Sequence, residues 1–384
     1  MKKVVCVLII LAALGGILGI CQYNIYLIKN EAAEVEEIVD EEVTNPIDLW
    51  KDSHPKVRGI YVTGPTAGTD KMNDIIDMIN STELNAIVLD VKDDWGNITF
   101  SMDNEMAQSI DACIPYISDI DALMKKLKAN DIYVIARIPC FKDPTLAAAK
   151  KDLALHADTG EYITDSKGNA WVNPCSKEVW EYNISIALSC CELGFDEIQF
   201  DYVRFPVTEN SDRAVYGVDL DDAARQSYIT GFLTEAVSAI HEKGIPVTAD
   251  VFGTIIKSDV DSKIVGQDYM TLASTLDVLC PMIYPSHYAT GEFGIEVPDA
   301  NPYDTIYAAL EGSKQLLEPL ADDESAIIRP WLQAFTADWV ESHIEYDSDA
   351  IRRQIRAVYD AGYDEWILWN SASNYNSDYF LSDN

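Results

Sequence analysis

The chain has 384 residues, of which 48% are hydrophobic and 10% are aromatic, and its formal net charge at pH 7 is −36. This composition excludes a disordered or fibrous protein, because it supplies enough apolar surface to bury a large core. The strongly acidic balance argues against nucleic acid as a partner, since the protein would repel a phosphate backbone.

The N-terminal residues 1–29 predict a membrane anchor. Lys2 and Lys3 precede an apolar run over residues 4–21 that is long enough to cross a bilayer. No A-x-A cleavage site follows, which favours an uncleaved signal anchor over a cleaved signal peptide. The lipid bilayer is therefore a predicted partner, and we expect a single-pass protein of the cell membrane whose remaining chain is extracellular.

Residues 30–54 predict a linker between the anchor and a folded domain. The stretch "NEAAEVEEIVDEEVTNPIDLWKDS" is rich in acids and almost free of bases. Such a composition is typical of a self-repelling spacer. The folded domain is then predicted over residues 55–384.

Eight apolar runs of strand length alternate with helical patterns in this domain. Most runs are continuously apolar, as expected for strands that are covered on both faces. They occupy residues 57–64, 85–94, 132–140, 197–206, 246–253, 278–288, 327–335 and 365–373. The alternation predicts an α/β fold, the (β/α)8 TIM barrel. The alternative, an open doubly wound sheet, would be expected to carry a glycine-rich turn after a strand, and none is present.

Two acids near the ends of the fourth and fifth strands are the candidate catalytic pair. Barrel enzymes place their chemistry at the carboxyl ends of the strands, where Asp201 and Asp250 lie. If both side chains point inward, they converge and supply the acid and the carboxylate that glycoside hydrolysis requires. Crowding raises the pKa of one member and so creates the acid. The alternative is an ion pair of Asp201 with Arg204 or Arg137 that fixes the barrel rim.

Other polar and aromatic residues near the strand ends are candidate substrate contacts. Sugar hydroxyls bind carboxylates, amides and cations, and the C–H faces of a sugar pack on aromatic rings. The candidates are Asp90, Lys92, Arg137, Tyr202, Arg204, Tyr284, Trp331, Gln333, Trp369 and Asn370. Two alternatives stay open: Asp90 as a structural partner of Lys92 or Arg137, and the arginines as groups that orient a carboxylate rather than bind an anionic substrate.

No metal or cofactor is predicted. The five histidines show neither H-x-H nor H-E-x-x-H spacing, and the chain has no phosphate-binding loop. The six cysteines outside the anchor are interpreted as small thiols of the core, with disulfides left open.

The strand motifs together resemble a known family. "VRGIYVT", "NAIVLDVKDDWGNITF", "EIQFDYVRFP", "CPMIYPSHY" and "WILWNSASNY" resemble a bacterial family of glycoside hydrolases that was first catalogued as a domain of unknown function. That family belongs to the TIM-barrel glycosidase superfamily, loosely akin to the α-amylase-like enzymes, and the resemblance covers about residues 56–380. It implies that Asp201 is the nucleophile, and that Asp250 stands where those enzymes carry a glutamate as acid/base.

The leading functional hypothesis is an exported, membrane-anchored glycoside hydrolase that cleaves glycosidic bonds of a cell-surface or environmental polysaccharide. The alternatives are a barrel that binds polysaccharide without cleaving it, or a scaffold of the cell envelope.

Overall fold

The computed structural model describes residues 46–321 and 324–382. The predicted anchor, residues 1–29, and residues 30–45 of the predicted linker lie outside the described residues, so both stay predictions. Among the described helices, none combines the length and the apolarity that crossing a bilayer requires.

Eight parallel strands form a closed barrel. They are β1 (Arg58–Val62), β2 (Ala86–Asp90), β3 (Tyr133–Pro139), β4 (Glu197–Asp201), β5 (Val247–Phe252), β6 (Val278–Ile283), β7 (Ile327–Ile328 and Trp331–Gln333) and β8 (Trp366–Trp369). Each strand pairs in parallel with the next, and β8 pairs with β1 to close the cylinder. The predicted (β/α)8 barrel is therefore confirmed.

Helices connect the strands and cover the outside of the barrel. In chain order they are α1 (Pro46–Ser53), α2 (Gly64–Ala67), α3 (Lys71–Ser81), α4 (Glu105–Ser109), α5 (Ile120–Lys128), α6 (Pro144–Ala149), α7 (Lys177–Leu193), α8 (Asp222–His241), α9 (Asp259–Val265), α10 (Tyr269–Ala273), α11 (Pro302–Leu317) and α12 (Ser348–Asp360). Local chemistry sets several ends. Asp221 caps α8 by accepting a bond from the Ala224 amide, and Gly194, at φ 84°, ends α7 in the left-handed region that favours glycine.

Two short sheets lie outside the barrel and were not anticipated from the sequence. Ile98–Phe100 pairs with Cys113–Ile117, and His156–Ala157 pairs with Ala214–Val215. The first of them changes the predicted second strand, which ends at Asp90 rather than continuing to residue 94. The residues after Asp90 turn across the carboxyl end of the barrel instead.

A buried ion-pair cluster fills the amino-terminal end of the barrel. The Arg329 guanidinium donates from Nη1 to Glu197 at 2.6 Å and from Nε to Glu365 at 2.8 Å. Each buried charge thus has a partner, which offsets the cost of removing it from water. This polar layer lies at the opposite end of the strands from Asp201.

The last residues of the predicted linker belong to this amino-terminal end. Residues 46–53 form helix α1 rather than an extended spacer. Trp50 donates from Nε1 to the Tyr133 hydroxyl at 3.0 Å, and His54 Nε2 lies 2.8 Å from Glu365 Oε1. From Trp50 onward the described residues form one compact unit.

Candidate active site

A cavity of about 460 Å³ opens at the carboxyl ends of the strands, a size typical of small-ligand sites. Eight of the predicted site residues line it: Arg137, Asp201, Tyr202, Arg204, Asp250, Tyr284, Trp331 and Trp369. The barrel therefore brings together side chains from six different strands and the loops that follow them.

The two candidate catalytic acids lie side by side on neighbouring strands. Phe200 of β4 is in register with Ala249 of β5, so the next residues along, Asp201 and Asp250, are adjacent. Hydrogen-bonded strands are about 4.8 Å apart, which sets the scale of the separation between the two backbones. Both acids line the cavity. Their catalytic roles stay a prediction. The geometry satisfies the condition on which that prediction depends, namely that both side chains point into the barrel and converge.

The charge of Asp201 is compensated by Arg137. Nε and Nη2 of Arg137 donate to Asp201 Oδ2 at 3.0 and 2.5 Å, and the Tyr202 amide donates to Oδ1 at 2.5 Å. Arg137 also binds Asp90 at 2.7 Å and Asp94 at 2.9 Å. The ion pair that the alternative interpretation foresaw is thus present, and it leaves Asp201 facing the cavity as a fixed carboxylate.

Asp250 has a different environment from Asp201. It is only 2% exposed, it forms no ion pair with a described residue, and its hydrogen-bond partner is Trp331, whose Nε1 donates to Oδ1 at 2.6 Å. Burial, reinforced by the charge of Asp201, raises the pKa of Asp250 well above the usual range of a carboxyl, although the bond from Trp331 acts in the opposite direction. The cavity therefore presents a carboxylate that is paired with Arg137 beside a buried carboxyl whose pKa is raised.

The backbone at Tyr202 is unusual. Its φ of 51° lies in the left-handed region, where a tyrosine is rare. Its hydroxyl accepts a bond from Lys142 Nζ at 2.9 Å and donates to Asp94 Oδ2 at 3.2 Å. These contacts hold the residue in the unfavourable conformation, and the same conformation directs its amide to Asp201.

Asp94 and Asp90 support Arg137 from the second strand. Partial burial opposes ionisation of Asp94, but the charges of Arg137 and Lys142 lower its pKa to about 2. Asp90 is buried, accepts a bond from the Tyr61 hydroxyl at 2.5 Å and pairs with Arg137. Burial raises the pKa of Asp90 to about 7 although Arg137 opposes the shift. Asp90 is thus a structural partner of Arg137, which was the alternative to a substrate contact.

Lys92 does not reach the cavity. Its side chain is fully buried, forms an ion pair with Asp143 at 2.7 Å and donates to Asn183 Oδ1 at 2.9 Å. The reason is that the chain turns directly after Asp90, so that Lys92 points toward helix α7 instead of along the strand. The predicted substrate contact is corrected to a structural ion pair.

The predictions for Gln333 and Asn370 are also corrected, because both side chains form hydrogen bonds to the surrounding loops. Gln333 is fully buried, accepts a bond from the Ser286 amide at 3.0 Å and donates to Asp299 at 3.0 Å. Asn370 donates to the Ala334 carbonyl at 2.7 Å and accepts from the Ala372 amide at 3.0 Å. Both residues position the loops that surround the cavity rather than lining it.

Several cavity residues were absent from the sequence-based set. Asp93 and Asp94 follow the second strand as neighbouring acids. Asp93 is the turn residue, since its carboxylate accepts from the amides of Trp95 and Asn97 at 2.9 Å, and Asp94 lines the cavity. Phe252 also lines the cavity, and strand alternation does place it on the face of Asp250. Lys142, which binds Asp94 and Tyr202 without lining the cavity, was not predicted from the sequence either.

Within residues 46–321 and 324–382, no group of three histidine, cysteine or acidic side chains is arranged to hold a metal ion. The six described cysteines are free thiols, and three of them, Cys140, Cys190 and Cys280, are buried.

Comparison with solved structures relates the chain to other barrels. A hypothetical protein from Ruminiclostridium thermocellum ATCC 27405 is 35% identical over 50% of this chain and 97% of its own, with a TM-score of 0.45. The PgaB (BpsB) glycoside hydrolase domain from Bordetella bronchiseptica is 14% identical, with 83% of this chain and 95% of that chain covered and a TM-score of 0.61, so it shares the fold. An alpha-galactosidase from Thermus thermophilus, solved with stachyose, is 11% identical over 84% of this chain and 63% of its own, with a TM-score of 0.50.

Sequence comparison assigns the family. No curated protein matches the chain significantly. Residues 59–375 match a family described as "Putative glycosyl hydrolase domain", a range that includes all eight barrel strands except the first residue of β1. Because this match covers most of the chain, the protein belongs to this family of glycosyl hydrolase domains.

Proposed function

We propose that this protein is an exported, membrane-anchored glycoside hydrolase that cleaves polysaccharide, with Asp201 as nucleophile and Asp250 as general acid and base. One observation carries the proposal. Two adjacent carboxyl groups share a cavity in different environments: Arg137 pairs with Asp201, whereas Asp250 is buried without an ion-pair partner among the described residues and its pKa is raised.

The proposed reaction has two steps. Asp250 protonates the glycosidic oxygen while Asp201 attacks the anomeric carbon, which releases the leaving sugar and forms a glycosyl ester on Asp201. The ester removes the negative charge of Asp201, so the repulsion that disfavoured ionised Asp250 disappears. Asp250 then accepts a proton from water as the water attacks the anomeric carbon, and both carboxyl groups return to their starting states.

The strand register supports this double displacement. Neighbouring strands are about 4.8 Å apart, and retaining enzymes have carboxyl groups about 5–5.5 Å apart, whereas inverting enzymes need about 6.5–9.5 Å to admit a water. Acids attached to adjacent strands in register therefore fit retention better than inversion.

A row of aromatic rings supports a polymeric substrate. Trp369 lines the cavity, and the centroid of the Phe335 ring lies 5.3 Å from the centroid of the Trp369 ring. Trp339 in turn stacks on Phe335, with a centroid distance of 5.9 Å and an interplanar angle of 19°. Trp339 is 65% exposed, which is unusual for so large an apolar side chain. The row leads from the cavity to the surface, as expected for a sugar chain longer than the cavity.

The test compares wild-type protein with Asp201→Asn on a panel of glycans, with release of new reducing ends as the readout. The substitution keeps the shape of the side chain but removes the nucleophile, so turnover should fall by roughly 10⁴-fold or more. Asp158→Asn is the matched control, since Asp158 forms an exposed ion pair with Arg213. Thermal unfolding monitored by circular dichroism should be cooperative for all three proteins.

Undiminished turnover of Asp201→Asn would remove Asp201 from the mechanism. Binding of a glycan by wild-type protein without any new reducing ends would instead favour the non-catalytic polysaccharide-binding barrel, and an absence of glycan binding would favour the envelope scaffold.

A further inference from the structure

The two arginines that line the cavity have very different partners. Arg137 donates to three carboxylates, as described above. Arg204 forms no ion pair with a described residue, and its hydrogen bond to the protein is from Nη1 to the Phe205 carbonyl at 3.0 Å. Its Nε and Nη2 donors therefore have no partner within the described part of the chain. A guanidinium whose donors are free in a cavity can bind a ligand there.

Aromatic rings hold the Arg204 guanidinium in place. Its central carbon lies 4.5 Å from the Phe252 ring centroid, 4.7 Å from that of Trp171 and 5.5 Å from that of Tyr202. Such contacts stabilise the cation and restrict the orientation of its plane. They provide no hydrogen-bond acceptor, so the Nε–Nη2 edge stays available to an occupant of the cavity.

Burial makes the missing partner costly. Loss of solvent lowers the pKa of Arg204 to about 10, so the group remains charged at neutral pH. A cation that is largely removed from water is normally paired with an anion. Because the described residues supply none, a ligand that carries negative charge is the group that would compensate it.

Three of the four acids that line the cavity do not oppose such a ligand, whereas Asp261, on helix α9, has no ion-pair partner among the described residues. Asp94 pairs with both Arg137 and Lys142, Asp201 pairs with Arg137, and burial raises the pKa of Asp250, which disfavours its charged form. The negative net charge of the whole chain acts mainly at longer range, where salt screens it with a Debye length of about 8 Å under physiological conditions. At contact distance the Arg204 guanidinium supplies a positive charge without an ion-pair partner among the described residues.

We infer that the substrate bears a carboxylate, as a uronic acid residue does, and that this carboxylate binds the Nε–Nη2 edge of Arg204. The inference rests on the proposed function, because it names the substrate class of the same cavity. A carboxylate matches the planar fork of arginine donors. The same cavity already contains a carboxylate on this edge of an arginine, since Nε and Nη2 of Arg137 both donate to Oδ2 of Asp201.

The experiment measures binding by affinity electrophoresis in gels that contain polygalacturonate, alginate or hyaluronate, each beside its carboxyl-reduced form. The proteins are wild type, Arg204→Gln, Arg204→Lys and Arg356→Gln. Arg356 is exposed and pairs with Asp360 on helix α12, so its substitution removes the same charge away from the cavity. Reducing ends are measured in parallel on the same polymers.

Wild-type protein should bind at least one acidic polymer at least about tenfold more tightly than its reduced form, as expected for hydrogen bonds to a charged group. Arg204→Gln should lose that preference, Arg204→Lys should keep part of it because the charge remains, and Arg356→Gln should behave as wild type. A folded Arg204→Lys variant keeps the test valid if the glutamine variant does not fold.

Equal binding of acidic and reduced polymers, an undiminished preference in Arg204→Gln, or binding of none of the three acidic polymers would overturn the inference. Cleavage of a neutral polymer that depends on Asp201 would overturn it while leaving the proposed function intact. Binding of an acidic polymer that depends on Arg204, without new reducing ends from any polymer, would support the inference and overturn the proposed function.

Discussion

Trp331 controls how tightly Asp250 holds its proton, and Trp331→Phe should change the pH range of activity. In the wild type, Nε1 of Trp331 donates to Asp250 Oδ1 at 2.6 Å and so stabilises the ionised form. Burial and the charge of Asp201 act in the opposite direction. Phenylalanine keeps an aromatic ring but has no donor. The pKa of Asp250 should therefore rise further when Trp331 is replaced.

The size of the shift follows from the bond that is lost. A hydrogen bond to a charged group contributes about 1.5–3 kcal/mol, and about 1.4 kcal/mol corresponds to one pKa unit. Because Asp250 acts while protonated, activity is lost as the pH rises through its pKa. The alkaline limb of the profile should then move to higher pH by about one to two units, and the acidic limb should stay in place.

The assay is the pH dependence of kcat/KM on the glycan that the wild type cleaves. Trp366→Phe is the matched control, because Trp366 Nε1 donates to the Tyr359 hydroxyl at 3.0 Å and neither residue lines the cavity. An alkaline limb that does not move in Trp331→Phe, or that moves to lower pH, would refute Asp250 as the general acid.

Three further predictions follow from the structure. Lys92→Met leaves buried Asp143 without its cation and should lower the free energy of unfolding by about 3–5 kcal/mol in urea titration, whereas Lys263→Met, at an exposed pair with Asp259, should change it by less than about 0.5 kcal/mol. An unchanged urea midpoint for Lys92→Met would show that the pair is not structural. Trp339→Ala should raise KM severalfold for long glycan chains and leave it unchanged for substrates short enough to fit in the cavity. An equal effect on long and short substrates would contradict the role of the aromatic row. The first product detected by NMR should retain the anomeric configuration of the substrate, and inversion would contradict attack by Asp201.

The positions of the barrel strands could largely be predicted from the sequence. Runs such as "NAIVLD" and "EIQFD" are continuously apolar because helices cover the strands outside and side chains fill the barrel inside. Alternation also indicated which residues share a face, and it placed Asp250 with Phe252 on one face of β5, where both line the cavity. These features depend on residues close together in the chain.

The end of β2 shows where local reasoning failed. Asp90 and Lys92 alternate in the sequence and were both predicted as substrate contacts, whereas Asp94 was not. The structure separates them because the chain turns after Asp90, so that only Asp94 lines the cavity while Lys92 reaches Asp143. Backbone bonds from the Thr99 amide to the Val91 carbonyl and from the Asp93 amide to the Asn97 carbonyl close that turn, and the sequence pattern did not predict them.

The sequence by itself determined the barrel and the position of each acid near a strand end. Only the tertiary structure decided which charges are compensated. Arg137 pairs with Asp90, Asp94 and Asp201, which lie 47, 43 and 64 residues away along the chain. Arg204, three residues from Asp201, pairs with none of them. The reason is that an ion pair depends on distance in space, and closing the cylinder sets those distances.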